Sequence, residues 1–172
     1  MPLFKRKSKK PTQNIQMATL LKTDQFMFVV AHSGRFSTVW DFEAYSEFLN
    51  LGGGSHLIGE SCRKAFFACR TISNDKELLQ FLEAENARER TIAWEAKTID
   101  EYNYKSEKEL YSKMLLVSAK VHNGHIEVLP NYRTKGGWAA HDVPKEDFIT
   151  LPLTASETEL GDGVLKAFEY CK

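Results

Sequence analysis

The apolar positions near the start of the chain come in short runs. Met17–Lys22 and Gln25–His32 are rich in apolar and β-branched residues, with Thr23-Asp24 between them, which predicts two strands. Ser33-Gly34 is a turn signal. Beyond it Phe36, Thr38 and Trp40 alternate with Arg35, Ser37 and Val39, the period of a third strand with one packed face. Asp41–Leu51 mixes aromatic and acidic residues and reads as a short helix or an ordered loop ending at Gly52-Gly53-Gly54-Ser55. A helix is expected over Leu57–Arg70. A second is expected over Lys76–Glu85, after an N-cap in Ser73-Asn74-Asp75 and with Leu78, Leu79 and Leu82 at helical spacing.

Glu83–Tyr104 is the most polar stretch, with a thin apolar stripe of Ile92, Trp94, Ile99 and Tyr102. It predicts a helix, or a helix and a loop, on the surface. Ser106 and Glu109 have the spacing of a capping box at the start of another short helix. Met114–Val121 and Ile126–Arg133 flank Asn123-Gly124. That dipeptide between alternating runs is a strong hairpin signal, because both turn positions need positive φ. Thr134–Trp138 is a glycine-rich loop. Phe148–Leu153 is a last strand, with Pro152 marking an edge or a strand end. Thr154 or Ser156 caps a final helix.

Two of these helices are versions of one pattern. Residues 58–70 and 160–172 align at a constant offset of 102, with five of thirteen positions identical. The shared residues are Gly59/Gly161, Lys64/Lys166, Ala65/Ala167, Phe66/Phe168 and Cys69/Cys171. Ile58, Cys62, Phe66 and Cys69 fall on one helical face, as do Leu160, Val164, Phe168 and Cys171. The small alanines allow close approach to a sheet, and the glycines relieve crowding near each helix start. Glu60 and Asp162 suit the positive end of a helix dipole, and Arg70 and Lys172 the negative end. Phe28–Trp40 and Val117–Leu129 provide a similar hairpin before each helix. The expected fold class is therefore α+β: antiparallel sheet with helices, in two related β-hairpin–helix halves. Residues 13–172 are expected to form one domain behind a disordered basic tail, residues 1–12.

Composition narrows the functional classes. No run reaches the ~20 apolar residues of a membrane helix, and no apolar segment follows Lys5–Lys10 to make a secretory signal. A cytoplasmic location is expected, with Cys62, Cys69 and Cys171 as reduced thiols. The chain has 23 basic and 23 acidic residues, and five of the basic ones lie within residues 5–10. Without them 18 face 23, so the body is acidic and poorly suited to a phosphate backbone.

Candidate chemistry is thin. Cys62 and Cys69 share a helix face with no histidine beside them, which fits packing better than a metal site. His122 and His125 flank the Asn-Gly turn with no further ligand at a matching spacing. Gly52–Ser55 lacks the lysine and the ending of a phosphate loop. There is no Gly-x-Ser-x-Gly elbow. No catalytic residue, metal or cofactor is expected. A rival reading is a small hydrolase using His122, His125 or His141. Another is a nucleic-acid-associated protein using the basic arm.

The hairpin followed by Ile58-Gly59-Glu60, the Lys135-Gly136-Gly137-Trp138 loop, Leu151-Pro152-Leu153 and the terminal Leu160–Lys172 helix together resemble the bacterial contact-dependent growth inhibition (CDI) immunity proteins. Gly163 stands where that family more usually has alanine. The resemblance implies a cytosolic, non-enzymatic protein that binds and neutralises the C-terminal toxin domain of its own system, often a nuclease. An acidic body would complement a nuclease's basic groove. Candidate toxin contacts are the acidic and aromatic residues Asp41, Glu43, Tyr45, Glu47, Glu85, Glu89, Trp94, Glu95, Asp100, Glu101 and Tyr102, since aromatics ringed by acids make binding anchors.

Overall fold

The computed structural model describes residues 16–35, 37–135, 137–140 and 143–172. The basic tail, Phe36, Gly136 and His141 lie outside the described residues. Among the described residues there are eight strands: β1 (Met17–Lys22), β2 (Met27–Gly34), β3 (Thr38–Leu49), β4 (Leu115–His122), β5 (His125–Pro130), β6 (Tyr132–Thr134), β7 (Gly137–Ala139) and β8 (Ile149–Pro152). The helices are α1 (Gly54–Ala68), α2 (Asp75–Leu82), α3 (Ala84–Glu101), α4 (Glu107–Ser112) and α5 (Glu157–Tyr170). Six strands form one antiparallel sheet in the order β3-β2-β1-β4-β5-β8, and β6 and β7 form a separate small hairpin. The α+β class is as expected.

The sheet is covered on both sides, so β2 is buried at all eight of its positions. On one side α1 and α5 pack side by side. Ile58, Cys62, Phe66, Leu160, Val164 and Phe168 meet Leu20, Val29, Val117 and Val128. On the other, Leu21, Phe26, Phe28 and Val30 meet Trp94 of α3 together with Tyr104, Leu110 and Met114. Period-2 alternation within one strand therefore feeds two cores. The Asn-Gly turn joins β4 to β5 with φ of 48° at Asn123 and 83° at Gly124, the left-handed pair that a two-residue hairpin requires.

The two matched helices touch each other reciprocally. A Cβ on Gly59 would lie 1.8 Å from the Glu157 carbonyl oxygen, and a Cβ on Gly161 would lie 1.8 Å from that of Ser55. Ser55 and Glu157 are themselves 102 positions apart, so the crossing is isologous, like a twofold interface inside one chain. The glycines let one backbone approach the other. This is a different role from the crowding relief expected at each helix start. The cysteines repeat as well. Cys69 donates to the Met17 carbonyl of β1 at 3.2 Å, and Cys171 to the Leu116 carbonyl of β4 at 3.2 Å. The hairpins do not share the symmetry. β2 and β4 both run antiparallel to β1 and hence in the same sense, whereas a twofold normal to the sheet would reverse one of them.

Several local expectations change. Asp41–Leu51 is neither helix nor loop: most of it is strand β3. Because α1 starts at Gly54, Glu60 lies in its second turn and pairs with Lys64 at 3.0 Å instead of meeting the helix dipole. Arg70 lies beyond the end of α1. At α4 only half the capping box forms, since the Glu109 carboxylate takes the Lys105 N–H at 2.6 Å. The full box appears at Ser156 and Glu159 of α5. The glycine-rich loop is the β6–β7 hairpin.

Candidate functional site

β3 is an edge strand with a four-residue bulge. Val30 pairs with Ser46 and the next residue, Ala31, pairs with Asp41, so Phe42–Tyr45 stand out of register. Asp41 holds the bulge from inside. It is 1% exposed and accepts from Ser33 Oγ at 2.5 Å, Arg70 Nε at 2.8 Å and the Ala44 N–H at 3.1 Å. A buried carboxylate is tolerable only with such a full set of donors. The bulge also breaks up a sheet edge that would otherwise offer unpaired backbone groups.

Next to the bulge, a directional chain of hydrogen bonds runs into the sheet. Trp40 Nε1 donates to Thr19 Oγ1 at 3.2 Å, and Thr19 lies 2.8 Å from His32 Nε2. Thr38 Oγ1 gives its own proton to Met17 Sδ at 3.9 Å, so it accepts from the His32 ring, and Nε2 is left to accept from the Thr19 hydroxyl. His32 Nδ1–H then donates to Thr38 Oγ1 at 3.1 Å. Burial pushes the His32 imidazole down to about 4, so it is neutral at pH 7 and pins the start of β3.

α3 crosses the face beside β3. Trp94 is 6% exposed and packs on Phe28, Phe42 and Trp40 with ring centroids 5.2, 6.3 and 6.2 Å away. Two clefts open between strand and helix. One, of about 410 Å³, includes His32, Thr38, Trp40 and Arg88 in its lining. The other, of about 380 Å³, is floored by Phe42, Phe48 and Trp94 and edged by Glu43, Arg90 and Lys97.

The expected contact residues divide on this geometry. Asp41 and Trp94 are buried, so neither presents a side chain to a partner: one braces the bulge and the other is core. Glu43 is exposed at the bulge. Tyr45 hydrogen-bonds Glu47 and, at 2.9 Å, Ser61, and is half-buried against α1. Burial and then the Glu47 carboxylate raise its phenol above the usual range. Glu95 accepts from Tyr111. Tyr102 packs on Phe26 and Phe48 at 4.5 and 5.5 Å. Glu89, Asp100 and Glu101 are exposed. The backbone of Glu85 belongs to the first turn of α3, and its side chain lies outside the described residues. Arg88, Arg90 and Lys97 line the clefts and were missed, because the acids drew attention away from them. Their signal was the spacing of Arg90, Ala93, Trp94 and Lys97, one helical face.

The remaining chemistry is dispersed. His122 and His125 sit 6.3 Å apart across the hairpin turn, and His125 Nε2 lies 3.1 Å from Glu127 Oε1. Among the described residues no group of three or more His, Cys, Asp or Glu side chains could hold a metal ion, and no helix is long and apolar enough to cross a membrane. Cys62 is buried and its thiol is pushed up to about 12 by desolvation, which leaves it unreactive.

Fold and surface together give a doubly covered sheet with aromatic clefts along one braced edge. The family model of the CDI immunity proteins (CdiI) matches residues 16–171, and the chain belongs to that family. The fold is shared with a chain of the CdiA-CT/CdiI toxin and immunity complex from Yersinia pseudotuberculosis, with TM-score 0.82, 20% identity, and 92% of this chain and 98% of that one covered. It is also shared with a protein of unknown function from Neisseria meningitidis, with TM-score 0.84, 24% identity, and coverage of 95% and 99%. No curated protein sequence matches the chain.

Proposed function

We propose that this immunity protein neutralises its cognate toxin, the C-terminal domain of a CdiA-type protein, by forming a tight one-to-one complex in the cytoplasm of the producing cell. We further propose that the toxin is a nuclease, and that the contact surface is the edge made by β3 and α3. The observation that carries the reading is membership of the immunity family over residues 16–171. The nuclease reading is supported by charge: the chain is acidic outside residues 5–10, and opposite potentials steer encounter with a basic groove. The surface is supported by the two clefts and by the rigid bracing of β3 beside them, since preorganisation lowers the entropy lost on binding.

Expression of the toxin domain encoded immediately upstream, with and without this chain, tests the reading. Growth should stop and cellular DNA or RNA should be cut when the toxin is alone, and both should recover with the chain present. Growth arrest that the chain does not relieve sinks the immunity reading. Arrest with intact nucleic acids sinks the nuclease assignment alone.

A further inference from the structure

The cleft walls differ in charge from the rest of the molecule. On α3, Arg90, Ala93, Trp94 and Lys97 occupy positions i, i+3, i+4 and i+7 and all line the second cleft, while Arg88 lines the first. Among the described residues, Glu43, on the strand side, is the one acidic side chain in either lining. Glu95 projects from the opposite side of α3, whereas Glu89 and Asp100 flank the row, four positions before Ala93 and three after Lys97, and Glu101 continues it one turn further on. The guanidinium of Arg90 is fixed in place. It donates to the Phe81 carbonyl at 3.0 Å and stacks 4.8 Å from the Phe81 ring. Arg88, Lys97 and Glu43 form no ion pair among the described residues. The chain thus carries, within an acidic body, a narrow aromatic cleft whose helix wall presents Arg90 and Lys97 opposite Glu43.

We infer that this cleft is the anchoring pocket for the toxin and takes one apolar or aromatic toxin side chain with a toxin carboxylate beside it. The inference rests on the immunity reading and adds the chemistry of the contact. At about 380 Å³, near the lower limit for ligand pockets, the cleft has room for a single large side chain. Phe42 and Phe48 supply its apolar floor above the buried Trp94, and Arg90 and Lys97 give an adjacent carboxylate a charge partner at a partly desolvated rim. Arg90 is already ordered by Phe81, so less conformational entropy is lost there on binding. General steering by the acidic body and local pairing at the cleft are separate effects: the first acts at a distance and is screened by salt, and the second fixes register.

The test is the affinity of the full chain for the upstream-encoded toxin domain, measured by calorimetry. Ala93→Trp fills the cleft from an exposed helix position and should abolish detectable binding. Lys97→Glu should weaken binding roughly tenfold or more by placing like charges together, and Lys97→Arg should preserve it. Lys108→Glu changes the net charge equally but from exposed α4, and should stay within about twofold of the parent. Melting curves confirm that each variant is folded, and the Lys97 variants carry the test if the Trp variant is not. Wild-type binding with all four variants equivalent to it would overturn the inference and leave the immunity reading standing. Equal weakening by Lys97→Glu and Lys108→Glu would overturn it too, since only net charge would then matter. A wild-type chain that does not bind would overturn both.

Discussion

Replacing Gly59 by alanine tests the helix crossing on which the core depends. The new Cβ would sit 1.8 Å from the Glu157 carbonyl oxygen, where real Cβ atoms do not come inside 3.0 Å. The obstacle is backbone, so α1 and α5 must part by at least 1.2 Å. A gap near 1 Å forfeits up to about half the dispersion energy of the atom pairs it separates, and overpacking of a tight core costs about 1–3 kcal/mol or more. Alanine's better helix propensity returns up to about 1 kcal/mol. Backbone cannot swing aside as a side chain can, so the cost here lies just above that range, at about 4 kcal/mol, and the net loss is about 3 kcal/mol, a large fraction of a stability of roughly 5–15 kcal/mol. Gly161→Ala makes the same clash with Ser55 and should cost the same. One separation relieves both clashes, so the double variant should lose about 3–4 kcal/mol and not about 6. Urea unfolding followed by tryptophan fluorescence reads this as a midpoint lowered by about 1.5 M for a slope near 2 kcal/mol per molar. Singles that cost under about 1 kcal/mol, or losses that simply add in the double variant, would refute the isologous crossing.

Gly163→Ala should behave oppositely. Its Cβ would meet Leu151 Cδ1 at 3.1 Å and Ile149 Cγ2 at 3.4 Å, side-chain ends that can give by a few tenths of an ångström, so the helix gain should leave the variant about 0.5 kcal/mol more stable by the same urea assay. Stability should also fall with acid through His32. Its pKa is about 4 when folded against an ordinary 6.5, so the unfolded chain takes up the proton first. The full contribution is present above pH 6.5, declines below it and is gone below pH 4. It amounts to about 3 kcal/mol. Urea midpoints of wild type and His32→Gln across that window should converge at low pH, and parallel profiles would contradict the assignment. Asp41→Ala removes the acceptor of three donors inside the bulge and should cost about 2–3 kcal/mol. Hydrogen exchange should quicken in residues 42–46, and unchanged protection there would mean that Asp41 does not brace the bulge.

Much of the fold was legible because its signals are local. The Asn123-Gly124 hairpin, the Ser156 cap and the paired helices follow from turn chemistry, capping and a 3.6-residue period. β3 was not legible because the Phe42–Tyr45 bulge interrupts alternation in the middle of the strand, and the cation that pairs with Asp41 inside it, Arg70, is 29 positions from that carboxylate. The same distance effect hid the site. Asp41 and Trp94 resembled surface residues because acids and aromatics were clustered around them, but their partners come from other elements and bury them. The cationic row on α3 had helical spacing in the sequence, but its place as a cleft wall depends on β3 supplying the opposite side. The glycine pair was recognised as a repeat, but its meaning needed the knowledge that the two helices touch each other as well as the sheet.

The most direct test of the central claim is a calorimetric titration of this chain against the toxin domain encoded upstream of it. The account predicts saturation at one equivalent, with a dissociation constant of about 10 nM or tighter and loss of toxin activity at the same equivalence point. No binding heat at several temperatures, together with full toxin activity in excess chain, would contradict it.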